Sequence, residues 1–246
     1  KKQKNMNKSN QKKSLRDKVK EDIDRFLTDP KHMWFNERDL QMHLALFLKE
    51  NKDYNVDVEY HIPVDFIKGE YPWSTKTISI DIMVSKGEEY VPIELKYKLK
   101  KLQNSVEITR CGKQCRKYDI VCDQGARDHG CYDFWKDVKR IELLKKNFEK
   151  VKGGIALLVT NDIGYKKMPK ENVNCYNFRL NEQGCDRQSV TGELNWVIPG
   201  SKIVNKKKYS SFTLCGKYST KWKQIAIQED FLTGTDKEFY CCMTLV

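Results

Sequence analysis

The chain has 246 residues, 39% of them hydrophobic and 33% charged, and a net charge of +12. That is enough apolar content for one domain with a substantial core, and too much for a disordered chain. No apolar run approaches the roughly 20 residues that cross a bilayer. The basic N-terminus lacks the apolar stretch of a secretion signal. The nine cysteines are scattered rather than set in a compact disulfide framework, so a cytoplasmic protein with free thiols is expected.

The positive charge is clustered. Residues 1–20 hold nine Lys and Arg against one acid, 96–118 eight against one, and 200–224 seven against none. Such clusters suit a polyanion, because neutralising phosphates releases their counterions. A single charge run reads as solvated surface, and for the N-terminal tail alone that reading is preferred.

Residues 1–13 have nothing to bury and are expected to be disordered. From Ser14 to Leu27 the spacing of Leu15, Val19, Ile23, Phe26 and Leu27 predicts an amphipathic helix, ended by Asp29 and Pro30. Asn36 can cap a second helix from Glu37 to about Glu50, with Leu40, Leu44, Phe47 and Leu48 inward. At 100° per residue Glu37 falls in the middle of that apolar face. An acid there either serves the helix dipole or meets a cation, since burying it alone is costly.

Residues 56–62 alternate as a strand, with Val56, Val58, Tyr60 and Ile62 inward and Asp57, Glu59 and His61 on the other face. His61 reads as a surface histidine, and 63–76 as a loop. Two more strands follow from 77 to 101, joined by a turn at 85–88. In the first, Ile78, Ile80, Ile82 and Val84 alternate with Ser79, Asp81 and Met83. In the second, Val91, Ile93, Leu95 and Tyr97 alternate with Glu94, Lys96 and Lys98. Glu94 and Lys96 share a face about 7 Å apart, and Asp81 on the neighbouring strand is free to meet Glu94. Two carboxylates and an ammonium on rigid strands suit a hard divalent cation with oxygen ligands and an activated water. A solvated Glu–Lys pair is the plainer reading, and [DE]-x-K also occurs at 29–31, 50–52 and 137–139. Only the match at 94–96 lies in an apolar alternating strand that follows another strand bearing an acid.

An aspartate on one strand and E-x-K on the next resembles the PD-(D/E)xK, or restriction-endonuclease-like, nuclease superfamily. The resemblance implies that Asp81 and Glu94 hold Mg²⁺ or Mn²⁺, with Glu37 or Glu59 completing the site. It implies that Lys96 orients the attacking water, and that cleavage leaves a 5′-phosphate. Ile80 stands where the family name has proline.

A basic helix is expected over roughly 103–118, with Gln114 and Tyr118 one turn apart. Q-x-x-x-Y after E-x-K resembles the RecB-like branch of the same nucleases. Lys98, Lys100, Lys101, Lys113, Gln114, Arg116, Lys117 and Tyr118 are the candidate nucleic-acid contacts. A strong helix is expected from Tyr132 to Lys150, facing the core with Phe134, Val138, Ile141, Leu144 and Phe148. Residues 155–160, almost wholly apolar, read as a strand buried on both faces. Strand, helix, strand is a crossover unit, hence an α/β fold with a mixed central sheet flanked by helices. The resemblance implies an αβββαβ core over 34–162. Residues 1–33 form a basic arm and helix, and 163–246 a β-rich extension packed on the core, with short β segments expected at 195–199, 209–214, 222–227 and 239–246. The whole is expected to be one domain.

Cys111, Cys115, Cys122 and Cys131 lack the paired C-x2-C spacing of common zinc sites and read as idle thiols. There is no phosphate-binding glycine loop and no nucleophile elbow. The expected function is metal-dependent hydrolysis of nucleic acid, DNA ahead of RNA. A non-catalytic nucleic-acid-binding module on the same fold is the alternative. A homodimer, or a subunit of a larger defence or repair complex, is the partner arrangement left open.

Overall fold

The computed structural model describes residues 13–28, 34–67, 70–104, 108–115, 119–181, 189–198, 207–225, 227, 232–233 and 238–246. Its centre is a mixed six-stranded sheet in the order β1-β2-β3-β8-β13-β11. These strands are β1 (Asn55–Pro63), β2 (Thr77–Lys86), β3 (Glu89–Lys98), β8 (Ile155–Thr160), β11 (Lys221–Ile225) and β13 (Phe239–Leu245). β3 and β8 run parallel and every other neighbouring pair in the sheet is antiparallel. Parallel neighbours need a crossover, and α3 (Arg127–Asn147) lies between them in the chain.

Helices α1 (Leu15–Thr28) and α2 (Glu37–Lys49) cover one face of the sheet. Leu15, Val19, Ile23, Leu40, Leu44 and Leu48 pack there on Ile82, Val84, Ile93, Leu95, Leu157 and Val159. α2 starts where expected: the Asn36 side chain accepts from Asp39 N–H at 2.9 Å. α3 covers the other face, with Phe134, Trp135, Val138 and Ile141 buried on Ala156, Leu158 and Cys242. It begins five residues earlier than expected and ends at Asn147.

α3 is also covered from outside, by the small sheet of β9 (Val190–Leu194) and β10 (Phe212–Tyr218). Glu142 on its outer side accepts from Cys215 N–H at 2.8 Å, Gly216 N–H at 2.7 Å and the Tyr218 hydroxyl at 2.7 Å. A helix between two layers is buried nearly all round, which explains why Asp137, Lys139 and Glu142 join its apolar residues inside.

Between β3 and α3 the expected basic helix is replaced by short strands: β4 (Leu102–Asn104), β5 (Ile108–Arg110), β6 (Lys113–Cys115) and β7 (Asp119–Val121). β4 pairs with β7 and with β12 (Leu232–Thr233), while β5 and β6 pair with each other. The β5–β6 turn takes Cys111 and Gly112 at positive φ, 48° and 77°. Two consecutive left-handed residues make a tight hairpin and interrupt a helix. Residues 195–198 are not a strand either; Trp196 is buried and donates from Nε1 to Tyr209 O at 2.8 Å. Among the described residues no helix is long and apolar enough to cross a membrane.

Candidate active site

The site lies where β2 and β3 part. They pair from Ile82↔Ile93 to Lys86↔Glu89, after which β3 continues along β8 alone and β2 turns away with β1. The strands also change face at this level. Strict alternation would put Ile78, Ile80, Ile82 and Val84 on one side. Instead Ile82 and Val84 pack beneath α1 and α2, whereas Ile78 and Ile80 pack with Leu143 and Leu144 of α3. β1 changes face with it, Val56 toward α1 and α2 and Tyr60 and Ile62 toward α3. Glu59 has φ +50°, and the Glu59/Asp81 rung is missing from an otherwise continuous register. A left-handed residue reverses the alternation beyond it.

Asp81 sits at this pivot, and its carboxylate enters the fork. Oδ2 accepts from Leu95 N–H at 2.6 Å. One repeat further along β3, Glu37 Oε2 accepts from Tyr97 N–H at 2.9 Å. Both amides lie past the point where β2 leaves the ladder, and a part-buried N–H needs an acceptor. The two acids stand in for the missing strand. Glu37 thus reaches the sheet from the first turn of α2, as its facing implies. Gln41, one turn on, donates to the Asp81 carbonyl at 2.6 Å and to Glu59 Oε1 at 3.2 Å. Glu59 is itself exposed, and its Oε2 accepts from Ser79 Oγ at 2.7 Å. That bond, outweighing some burial, holds its carboxyl below the usual range. Gln41 therefore ties Glu59 to Asp81 through the backbone.

Glu94 and Lys96 point from β3 toward α3, where two residues absent from the sequence-based site meet them. Lys96 Nζ lies 2.8 Å from Asp137 Oδ2 and donates to Leu95 O at 2.8 Å. Arg140 Nη1 lies 3.1 Å from Glu94 Oε1 and donates to Asp137 Oδ1 at 3.2 Å; its Nη2 donates to Ser79 O. The Glu94 side chain is 0% exposed, Asp137 4%, Arg140 13% and Lys96 15%. Yet among the described residues no hydrogen bond reaches either Glu94 oxygen, and Arg140 Nε has none.

The electrostatics follow from that burial. Removal from water pushes the Glu94 carboxyl well up, and Asp137 and Asp81 add to this against the opposing Arg140. Asp81 is raised by burial too, with Lys96 opposing. Burial would lower Lys96, but Asp137, Asp81, Glu37 and Glu94 together outweigh it and hold its ammonium above the ordinary range. The acids whose charges act on one another here, Glu37, Asp81, Glu94 and Asp137, outnumber the two cations Lys96 and Arg140.

Oxygen donors in charge excess, two of them without a hydrogen bond, fit a hard divalent cation in chemistry. Asp81, Glu94 and Glu37 would hold it. They are not arrayed around one point: among the described residues no three His, Cys, Asp or Glu are grouped to hold a metal ion.

The remaining basic candidates follow Lys96 in the chain. Lys98 is half-buried and its charge reaches Asp133 on α3. Lys100 N–H donates to Asn161 Oδ1 at 2.8 Å, and Lys101 N–H to Asp123 Oδ1 at 2.7 Å. Lys113 and Gln114 are exposed on the β5–β6 hairpin rather than on a helix face. Arg116, Lys117 and Tyr118, and with them the second half of Q-x-x-x-Y, lie outside the described residues; Gln114 itself stands on β6 and not on a helix. The residues missed were Asp133, Asp137 and Arg140. Their spacing of four and three, which sets them along one side of the helix, was the available signal.

Comparison with known proteins gives no match: no family model, no curated sequence and no solved structure matches this chain.

Proposed function

We propose that the chain is a metal-dependent nuclease with a restriction-endonuclease-like core over 34–162, hydrolysing phosphodiester bonds of nucleic acid, DNA ahead of RNA, and leaving a 5′-phosphate. The order α2-β1-β2-β3-α3-β8 supports it, as do Asp81 at a strand fork and E-x-K on the adjoining strand. The observation that carries the reading is Glu94, a fully buried carboxylate whose two oxygens have no hydrogen bond, beside Asp81 and Lys96. Structures rarely leave such atoms unpaired unless another group engages them.

A bound divalent ion supplies Lewis acidity and an acidified water. The chain supplies the rest. Asp81 and Glu94 offer hard oxygen donors on two adjoining strands. Lys96, held protonated by Asp137, acts as a fixed cation that donates to the attacking water and stabilises charge developing on the phosphate. A proton-accepting role does not suit it. Asp137 positions Lys96. Lys98, Lys100, Lys101 and Lys113 follow the E-x-K strand positions in the chain and suit the phosphate backbone.

A second reading, a nucleic-acid-binding module without catalysis, is favoured by one observation: Arg140 and Lys96 already pair with Glu94 and Asp137. The test is cleavage of supercoiled, linear, single-stranded and branched DNA, and of RNA, with Mg²⁺, Mn²⁺ or EDTA. Asp81→Ala and Lys96→Ala are expected to lower metal-dependent cutting by about 10²–10³, the loss typical of one preorganised charge. Tight, salt-sensitive binding with no cutting under any metal sinks the enzyme in favour of the module.

A further inference from the structure

Resting on the metal-dependent reading above, we infer that Arg140 holds the cation's place against Glu94, so that a divalent ion binds there by replacing a guanidinium of the chain itself as the partner of Glu94. Arg140 meets Glu94 differently from its other partners. It donates hydrogen bonds to Asp137 Oδ1 and to the Ser79 carbonyl, so both anchors lie outside the Glu94 carboxylate. Toward Glu94 it offers charge at 3.1 Å and no aligned hydrogen bond, although both side chains are enclosed. A buried pair selected for stability is normally bidentate, with its remaining donors and acceptors satisfied. This one leaves both Glu94 oxygens and Arg140 Nε without a bond.

The asymmetry has a direct consequence. When Glu94 turns to an entering ion, Arg140 stays anchored by Asp137 and Ser79, and only a poorly aligned ion pair is given up. Until then the guanidinium offsets one of the charges that would otherwise repel Asp81 and Asp137. Metal-free protein is thereby kept folded, and metal affinity is set by competition rather than by the acids alone. Removing the guanidinium leaves Glu94 buried and uncompensated, which costs stability without metal and strengthens the site's attraction for a divalent ion.

The experiment is calorimetric titration of Mn²⁺ into metal-free wild type, Arg140→Met, Arg140→Lys and Asp81→Asn, with thermal melts of each protein with and without Mn²⁺. Arg140→Met is expected to bind Mn²⁺ roughly tenfold tighter, an ordinary coupling between two sites. It should melt lower than wild type without metal and recover more than wild type when Mn²⁺ is added. Arg140→Lys, which keeps a charge, should remain near wild-type affinity. If Arg140→Met does not fold without metal, folding on addition of Mn²⁺ is the supporting outcome, and failure to fold at any Mn²⁺ concentration overturns the inference. Wild-type binding that Asp81→Asn abolishes but Arg140→Met leaves unchanged or weakens overturns the inference alone. No Mn²⁺ binding by wild type or by Arg140→Met overturns the metal reading as well.

Discussion

At the level of single residues, Glu94 and Lys96 occupy one strand face and are driven in opposite directions by one environment. Both are enclosed, and burial disfavours either charge. Lys96 faces an excess of carboxylates and stays charged, whereas Glu94 faces the same excess and is pushed toward its neutral form. The sign for stability follows. Because the folded state raises the Glu94 pKa, its contribution is full below about pH 4, the unfolded value, and is lost as pH rises through the raised folded value. Glu94→Gln is neutral at every pH. In metal-free protein it should therefore gain on wild type as pH climbs from about 4 toward neutrality. Melting temperatures of the two proteins across that range check this. A difference that stays constant with pH would mean that ionising Glu94 costs nothing.

Among the elements, the position of β1 at the sheet edge makes predictions that plain alternation does not. Val58 and Ile82 are directly opposite each other in the ladder, and both read as inward from the sequence. Val58 is 52% exposed, while Ile82 is fully buried under α1 and α2. Val58→Thr should change stability by no more than about 0.5 kcal/mol, and Ile82→Ala should cost about 2–5 kcal/mol. Urea denaturation of both variants decides. Comparable losses would mean that the edge strand β1 is covered at Val58 as β2 is at Ile82. α2 offers a smaller test. Asn36→Ala removes the side chain that accepts from Asp39 N–H and should cost about 1 kcal/mol. It also loosens the first turn, which aims Glu37 at Tyr97 N–H, so it should weaken Mn²⁺ binding without abolishing it.

Across the whole molecule, the two β-rich insertions differ in what depends on them. β13 pairs with β8 along its length and carries β11 at the sheet edge, with Cys241 and Cys242 buried on opposite faces. Removing 239–246 strips β8 of a neighbour and opens both cores, and should leave no cooperative unfolding transition. The β5–β6 hairpin pairs with itself. Replacing 108–115 by a short Gly-Ser link should keep the melting temperature within a few degrees. It should also lower the salt dependence of nucleic-acid binding, by roughly one unit of slope for each phosphate the chain no longer touches. An unchanged slope would show that the hairpin's basic residues do not meet the phosphate backbone.

Local elements with strong periodicity were legible in the residue order: α1 and α2 within a residue or two, the Asn36 cap, the β2–β3 hairpin and the fully buried β8. Each is set by interactions between near neighbours in the chain, where hydrophobic spacing and turn chemistry act directly. The same order marked Asp81, Glu94, Lys96 and the inward aim of Glu37. The rest came from long-range packing. Nothing local to 103–118 forbids a helix; a two-residue left-handed turn and pairing with the distant 232–233 make it strands. Asp137 stood out on its own helix only as one more stray acid before a lysine. It becomes a site residue because α3 crosses the fork of two strands about 40–55 positions earlier in the chain, and because the layer of β9 and β10 closes over the helix. The reversal at Glu59 is likewise invisible to a period-two reading. One left-handed residue turns β1 and β2 over, and the two amides of β3 left without a ladder partner are satisfied by the side chains of Asp81 and Glu37, which no period-two reading of β3 supplies.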